Sequence, residues 1–306
     1  MTADSSHPPL PTAPPSVHLA LCAVQVMFAS LATCGKIVLR QLPPFAAVSF
    51  RTPMAAVVLM TLYLFNYEKV AWRDFPTLAV YAVFGIIANQ LLFISGLDRT
   101  TATNAVVIGA IIPVFTVGVA LLLRRERATA AKLGGLAVAF AGALAIVGID
   151  RFETGGAHLV GNLLVVANSL SFSIYLVISR GLLARYRTLT VIAWTFFFGA
   201  IGVLPFGARD LIIRIPSLWP ITWAVLVYVV LFPTVGTYFL NSFALKRAPS
   251  SLVAIYIYLQ PILGALIAAY VLGERVTVSV LVGGALIALG IYLVNRSTLT
   301  SRTIQP

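Results

Sequence analysis

Apolar residues come in long blocks along this chain, each bounded by charges or by Pro and Gly. Five fall at Leu19 to Leu39, Phe45 to Asn66, Leu78 to Leu97, Asn104 to Leu123 and Leu133 to Ile149. Another five follow at Leu159 to Ser179, Leu189 to Phe206, Ile221 to Ala244, Leu252 to Leu272 and Val278 to Val294. A helix needs roughly 20 apolar residues to cross a hydrocarbon core about 30 Å thick, so each block predicts one crossing. The expected fold is therefore all-α and integral to the membrane, with ten transmembrane helices.

The blocks repeat. At an offset of 148 residues and without a gap, Leu97 aligns with Leu245, Arg99 with Arg247, Pro113 with Pro261 and Glu126 with Glu274. The register continues through Thr129 and Thr277, Gly135 and Gly283, and Gly142 and Gly290. A weaker match at an offset of 144 pairs Phe28 with Phe172 and Lys36 with Arg180. Each repeat holds an odd number of crossings, so the second enters the membrane in the opposite sense and the two form an inverted pair. The predicted organisation is a Pro/Ser-rich disordered tail at 1–18, five-helix repeats at 19–149 and 159–294, and a cytoplasmic tail at 295–306.

Charge orients this bundle. With both termini cytoplasmic, the cytoplasmic side holds Lys69, Arg73, Arg124, Arg125, Arg127, Lys132, Arg180, Arg185, Arg187, Lys246, Arg247, Arg296 and Arg302, which is 13 of the 21 bases. Lys36, Arg40, Arg51, Arg99, Arg151, Arg209, Arg214 and Arg275 fall opposite, so the positive-inside rule favours that orientation. The bases are scattered singly at block ends, which makes the net charge of +12 a topological signal and argues against a nucleic-acid partner. Met1 to Ser16 has no Lys or Arg, unlike a signal peptide's basic region.

The repeated proline-centred helix, the glutamate in a short basic connector and the glycine-bearing helix resemble the EamA-type branch of the drug/metabolite transporter superfamily. Gly96 to Arg127 and Leu259 to Gly290 carry the resemblance. It implies ten helices with cytoplasmic termini in the cell membrane, and a central cavity lined by the first, third, fourth, sixth, eighth and ninth. It also implies alternating access of a small solute, with amino acids and related compounds as the leading class.

Composition narrows the chemistry. With 60% hydrophobic and 10% charged residues the solvent must be largely lipid. No acid falls in the middle of a block, so a buried carboxylate proton relay is not visible and strongly cationic solutes are disfavoured. His7, His18 and His158 read as tail or connector residues, and Cys22 and Cys34 share the first block, so neither a metal site nor a cofactor is expected. An intramembrane enzyme would need a nucleophile with its base, or a metal set, at membrane depth; neither is present, so the chain does not read as an enzyme.

The polar residues near the midplane are neutral: Gln25, Asn89, Gln90, Ser169, Ser173, Tyr238, Tyr256 and Gln260. Buried amides and hydroxyls need partners, so these face the bundle interior, either bridging helices or forming a polar-aromatic pocket for a small zwitterionic or neutral solute. Gln90, Tyr238 and Gln260 are expected to touch it. Pro113 and Pro261 should kink their helices and free the carbonyls of Gly109 and Ile257. Glu126 and Glu274 suit turn and capping roles ahead of Thr129 and Thr277. Lys36 and Arg180 suit snorkelling to the interface. Arg51, deeper in its block, pairs with a carbonyl or with Asp98, and its role stays open. Nucleobase, sugar or drug-like solutes, and a non-transporting receptor or scaffold, remain alternatives. Oligomeric state is not legible.

Overall fold

A computed structural model describes residues 13–148, 156–263, 266 and 278–303, and the described residues are helical throughout apart from turns and connectors. The helical segments are α1 (Pro15–Leu39), α2 (Pro44–Phe65), α3 (Trp72–Leu97), α4 (102–122), α5 (Ala130–Val147), α6 (His158–Leu183), α7 (Thr188–Ser217), α8 (Pro220–Leu245), α9 (Ser250–Leu263) and α10 (Val278–Thr303). Eight are long and apolar enough to cross a membrane; the described apolar stretches Pro15–Leu31 and Ser250–Leu263 are shorter. Residues 264–265 and 267–277, which carry the rest of the ninth expected block together with Glu274 and Thr277, lie outside the described residues, as does most of the N-terminal tail with His7.

Several block ends move. α1 begins at Pro15, four residues before Leu19, because Pro43, Pro44 and Pro15 each sit where a missing N–H costs nothing, at a helix start. His18 is therefore a helix residue, not a tail residue. α7 runs on through Pro205 to Arg214 instead of stopping at Phe206. Apolar side chains such as Phe65, Leu122, Ile212 and Val278 point outward from the bundle, as lipid contact requires.

Neither proline helix is a simple kinked rod. α4 splits into Ala102–Gly109 and Ile112–Leu122 with a turn between them, which puts Pro113 in the first turn of the second piece. α9 passes from α-helix at Ser250–Ile255 through a 3₁₀ turn at Tyr256–Tyr258 just before Pro261. The chain breaks its ladder one turn ahead of each ring, where the proline would otherwise clash.

α3 and α8 carry a different irregularity, a π-helical stretch at Val83–Ile87 and another at Val230–Gly236. Pro233 lies within the second, where its absent N–H unseats the regular ladder. In the first, Gly85 lies so close to Tyr175 of α6 that an added methyl would stand 2.5 Å from the ring.

The two most extensive helix pairings are α5 with α10 and α2 with α7. α5 and α10 meet backbone to backbone at two glycine pairs. A methyl on Gly135 would stand 2.8 Å from the Gly290 carbonyl oxygen, and one on Gly142 would stand 2.6 Å from that of Gly283. In lipid, where apolar burial drives little, such close approach gains dispersion energy that larger side chains would forfeit.

Candidate functional site

Side chains from neighbouring helices take up the carbonyls that the α3 π segment displaces. Ser171 of α6 donates to Phe84 O at 2.9 Å, and Tyr238 of α8 donates to Gly85 O at 2.7 Å. One turn on, Asn168 Nδ2 donates to Asn89 O at 2.6 Å. α3 is thus fastened to α6 and α8 through its own backbone. Tyr238 also stacks edge-on against Phe196 and lies beside Tyr175, which fills the space a side chain at Gly85 would need.

The residues expected to surround a solute form separate pairs. Gln90 accepts from Arg51 Nη2 at 2.7 Å and from Thr52 Oγ1 at 3.1 Å, all through its amide oxygen. Gln260 of α9 donates to Gln25 of α1 at 2.9 Å. Tyr256, one turn before Gln260, pairs with His18 of α1 through its hydroxyl and the ring Nδ1. Ser173 donates to both Ser169 O at 2.8 Å and Ile112 O at 2.9 Å, so α6 supports the broken segment of α4 beside Pro113. The Ser169 hydroxyl is buried and meets no partner among the described residues.

Gln90, Tyr238 and Gln260 therefore do not converge through direct contacts. Tyr238 is committed to the α3 backbone and Gln260 to α1. Arg51, whose role the sequence left open, proves to share a site with Gln90, and it finds a side-chain amide where Asp98 was one of the expected partners.

At one end of the bundle the connectors interlock. Asp74, at the start of α3, receives both terminal nitrogens of Arg185 at 3.0 Å and the Tyr186 hydroxyl at 2.6 Å. Glu68 receives Thr190 Oγ1 at 2.6 Å and the Arg187 N–H at 2.9 Å, while Arg180 donates to Leu245 O at 3.2 Å. Arg180 is thus tied to the end of α8, where simple snorkelling was expected; the Lys36 side chain lies outside the described residues. A cleft of about 550 Å³ between α3 and α6 opens beside this cluster, lined by Asp74, Tyr81, Arg125 and Arg185 among others.

Glu126 extends the network. Thr129 caps α5 by accepting from the Lys132 N–H at 3.2 Å, as its spacing predicts. Glu126 itself reaches across to α9, accepting from Ser250 Oγ at 2.6 Å, from the Ser251 N–H at 3.2 Å and from the Ser251 hydroxyl, and pairs with Lys132 Nζ at 2.9 Å. Its role is to join two connectors, where capping of its own next helix was expected. Among the described residues no three His, Cys, Asp or Glu side chains come together as metal ligands would.

An all-helical apolar bundle with interrupted helices, polar pairs at depth and charged clusters at its ends has the build of a polytopic membrane carrier. Comparison with known sequences makes the class specific: the EamA-like transporter family matches residues 15–148 and again 159–296, and the chain belongs to that family. A protein of Archaeoglobus fulgidus described as an uncharacterized transporter is 29% identical over 90% of this chain and 96% of its own. A "probable terminal-alkyne amino-acid exporter" of Streptantibioticus cattleyicolor is 31% identical over 75% of this chain and 76% of its own. In fold, a crystal structure covers 95% of this chain and 99% of its own at a TM-score of 0.77 and 20% identity. The chain is thus a multi-pass membrane transporter.

Proposed function

We propose that the protein is a secondary transporter that exports small metabolites, amino acids or related compounds foremost, by alternating access between two inverted halves of five helices each, at 19–149 and 159–294. Both termini face the cytoplasm and the membrane is the cell membrane.

One observation carries the inverted arrangement. The 148-residue offset equates Gly135 with Gly283 and Gly142 with Gly290, yet the contacts run Gly135 to Gly290 and Gly142 to Gly283. Equivalent residues exchange places across the interface, which is what a two-fold axis between halves requires. The two π stretches agree with it, because Val83–Ile87 shifted by 148 falls inside Val230–Gly236. Two such halves can rock about a shared polar centre.

The amino-acid reading is supported by the Streptantibioticus relative's name and by the polar residues at depth. Purified protein in liposomes preloaded with an unlabelled amino-acid mixture should accumulate the labelled mixture by counterflow. Accumulation of labelled sugars or nucleobases with none of amino acids would replace this substrate class.

A further inference from the structure

Arg51 lies two turns into α2, flanked by the buried Phe50 and Thr52. Among the described residues no carboxylate stands within ion-pair distance of it. The acids that are paired, Asp74 and Glu126, serve the end of the bundle. A guanidinium at membrane depth normally finds a counter-ion, and one without it marks a functional position.

The geometry around Gln90 sharpens this. Two donors, Arg51 Nη2 and Thr52 Oγ1, converge on its amide oxygen, which fixes the amide: rotated by half a turn, its NH₂ would confront both donors. Gln90 Nε2 consequently points away from Arg51 Nη2 and Thr52. It is buried with no acceptor among the described residues, and the same holds for Arg51 Nε. The two orphaned donors belong to groups already hydrogen-bonded to each other, so both lie on one linked pair of side chains. Many polar side chains in the interior, such as Asn168, Ser171, Tyr238 and Gln260, have found acceptors, whereas the Ser169, Ser179 and Tyr258 hydroxyls and the Trp194 indole N–H share with Arg51 and Gln90 the lack of a partner among the described residues. What sets Arg51 and Gln90 apart from those neutral groups is a positive charge and two unpartnered N–H groups on one hydrogen-bonded pair.

We propose that Arg51 and Gln90 anchor the carboxylate of the transported solute, Arg51 through its charge and Nε and Gln90 through Nε2. A carboxylate answers both needs together, since it is acceptor-only and negative. A neutral carbonyl would leave the charge uncompensated, and a cation would be repelled. The inference rests on the reading of the chain as a carrier of small metabolites and adds to it that the solute bears a carboxylate.

The test is ligand-induced thermal stabilisation of the full-length protein in detergent. Three probes are compared: a pool of the common amino acids without Asp and Glu, the same amino acids as α-carboxamides, and a pool of short monocarboxylates from acetate to hexanoate. The wild type is expected to respond to one or both carboxylate pools and not to the carboxamides. Arg51→Gln should weaken that response by roughly ten- to a hundredfold in half-saturating concentration, the range for losing a charge-assisted hydrogen bond. Arg51→Lys, which keeps charge but not Nε, should fall between. Gln90→Glu supplies the carboxylate from within: it should melt higher without ligand and lose the response, which guards against misfolding as the explanation. Monocarboxylates acting where amino acids do not would keep the anchor and sink the amino-acid reading. Amino acids and carboxamides acting alike, with Arg51→Gln responding as wild type, would keep that reading and overturn the anchor. No response to any carboxylate pool overturns the anchor as well.

Discussion

The Glu126 carboxylate lies 2.6 Å from the hydroxyl of Ser250, a residue 124 positions further along the chain. The bond joins the α4–α5 connector to the start of α9. Burial pushes the Glu126 carboxyl up, but Lys132 and the hydroxyls of Ser250 and Ser251 outweigh it, and the pKa falls below the ordinary glutamate value. A carboxylate held low in the folded state stabilises it above the unfolded pKa, near 4.3, and loses that contribution as pH falls through the folded value. Glu126→Gln strands a buried Lys132 ammonium and should lower stability at pH 7 by about 3 kcal/mol. Thermal unfolding in detergent from pH 7 to pH 3 should show the gap between variant and wild type closing only at the acid end. A gap of constant size across that range would contradict the assignment.

The glycine contacts between α5 and α10 make a graded prediction. Gly142→Ala and Gly290→Ala force a methyl into the facing backbone, and each should destabilise by about 1 to 3 kcal/mol through overpacking. Gly134→Ala, with nothing within 4 Å of the new methyl, should be neutral or slightly stabilising, since alanine is the better helix former. Denaturation midpoints of the three variants side by side decide it; equal losses would mean that the helices do not approach as described.

Tyr238 and Gln260 should behave as fasteners. Tyr238→Phe strands the Gly85 carbonyl and Gln260→Leu strands the Gln25 amide, at about 1 to 3 kcal/mol each. Counterflow half-saturation should stay within about twofold of wild type in both, while melting temperature drops. A large shift in half-saturation at unchanged stability would return these side chains to the solute.

Transport should need no imposed proton gradient. The buried acids that the structure describes, Asp74 and Glu126, sit at helix ends and are engaged by arginine, lysine or hydroxyl donors, which keeps them ionised near neutrality. Liposome uptake with equal pH on both sides should proceed down the solute gradient. An absolute requirement for a pH difference, abolished by neutralising one acid, would reverse this view.

Topology can be read with single cysteines. After replacement of Cys22 and Cys34, a cysteine at Ala13 should resist an impermeant thiol reagent applied to intact cells, whereas one at Ser217 should react. The opposite pattern would invert the orientation.

Much of the fold was legible because lipid imposes a length: apolar blocks mapped onto helices, and the offset of 148 anticipated both the paired glycines and the paired breaks before Pro113 and Pro261. What escaped detection was local or distant. A π turn adds one residue to a helix apolar on most faces, and hydropathy has no phase to register the addition; only Pro233 in α8 signalled one. Glu126 spoke for a cap because its nearest threonine was visible and Ser250 was not adjacent in sequence. Among the candidate site residues, polarity picked out Gln25, Gln90, Ser169, Ser173, Tyr238 and Tyr256, which are buried, with Asn89 and Gln260, which are half-buried, and passed over the buried Thr52, Asn168 and Ser171; the choice of partners for Gln90, Tyr238 and Gln260 depends on helix facing, which the sequence does not encode locally. Arg51 stood out as the odd charge, and its meaning came only with the orientation of the Gln90 amide.

The π stretch at Val83–Ile87 sets an angular phase for everything beyond it. An α-helix turns about 100° per residue, so one surplus residue swings the rest of α3 by about that angle relative to an unbroken helix. Gln90, three residues past the stretch, meets Arg51 in the phase that the stretch sets. Deleting a single residue from the stretch would leave the composition of α3 nearly untouched and aim Gln90 about a quarter-turn away from its partner. In this protein, the spacing of a side chain from the bulge is as much a part of the site as its chemistry.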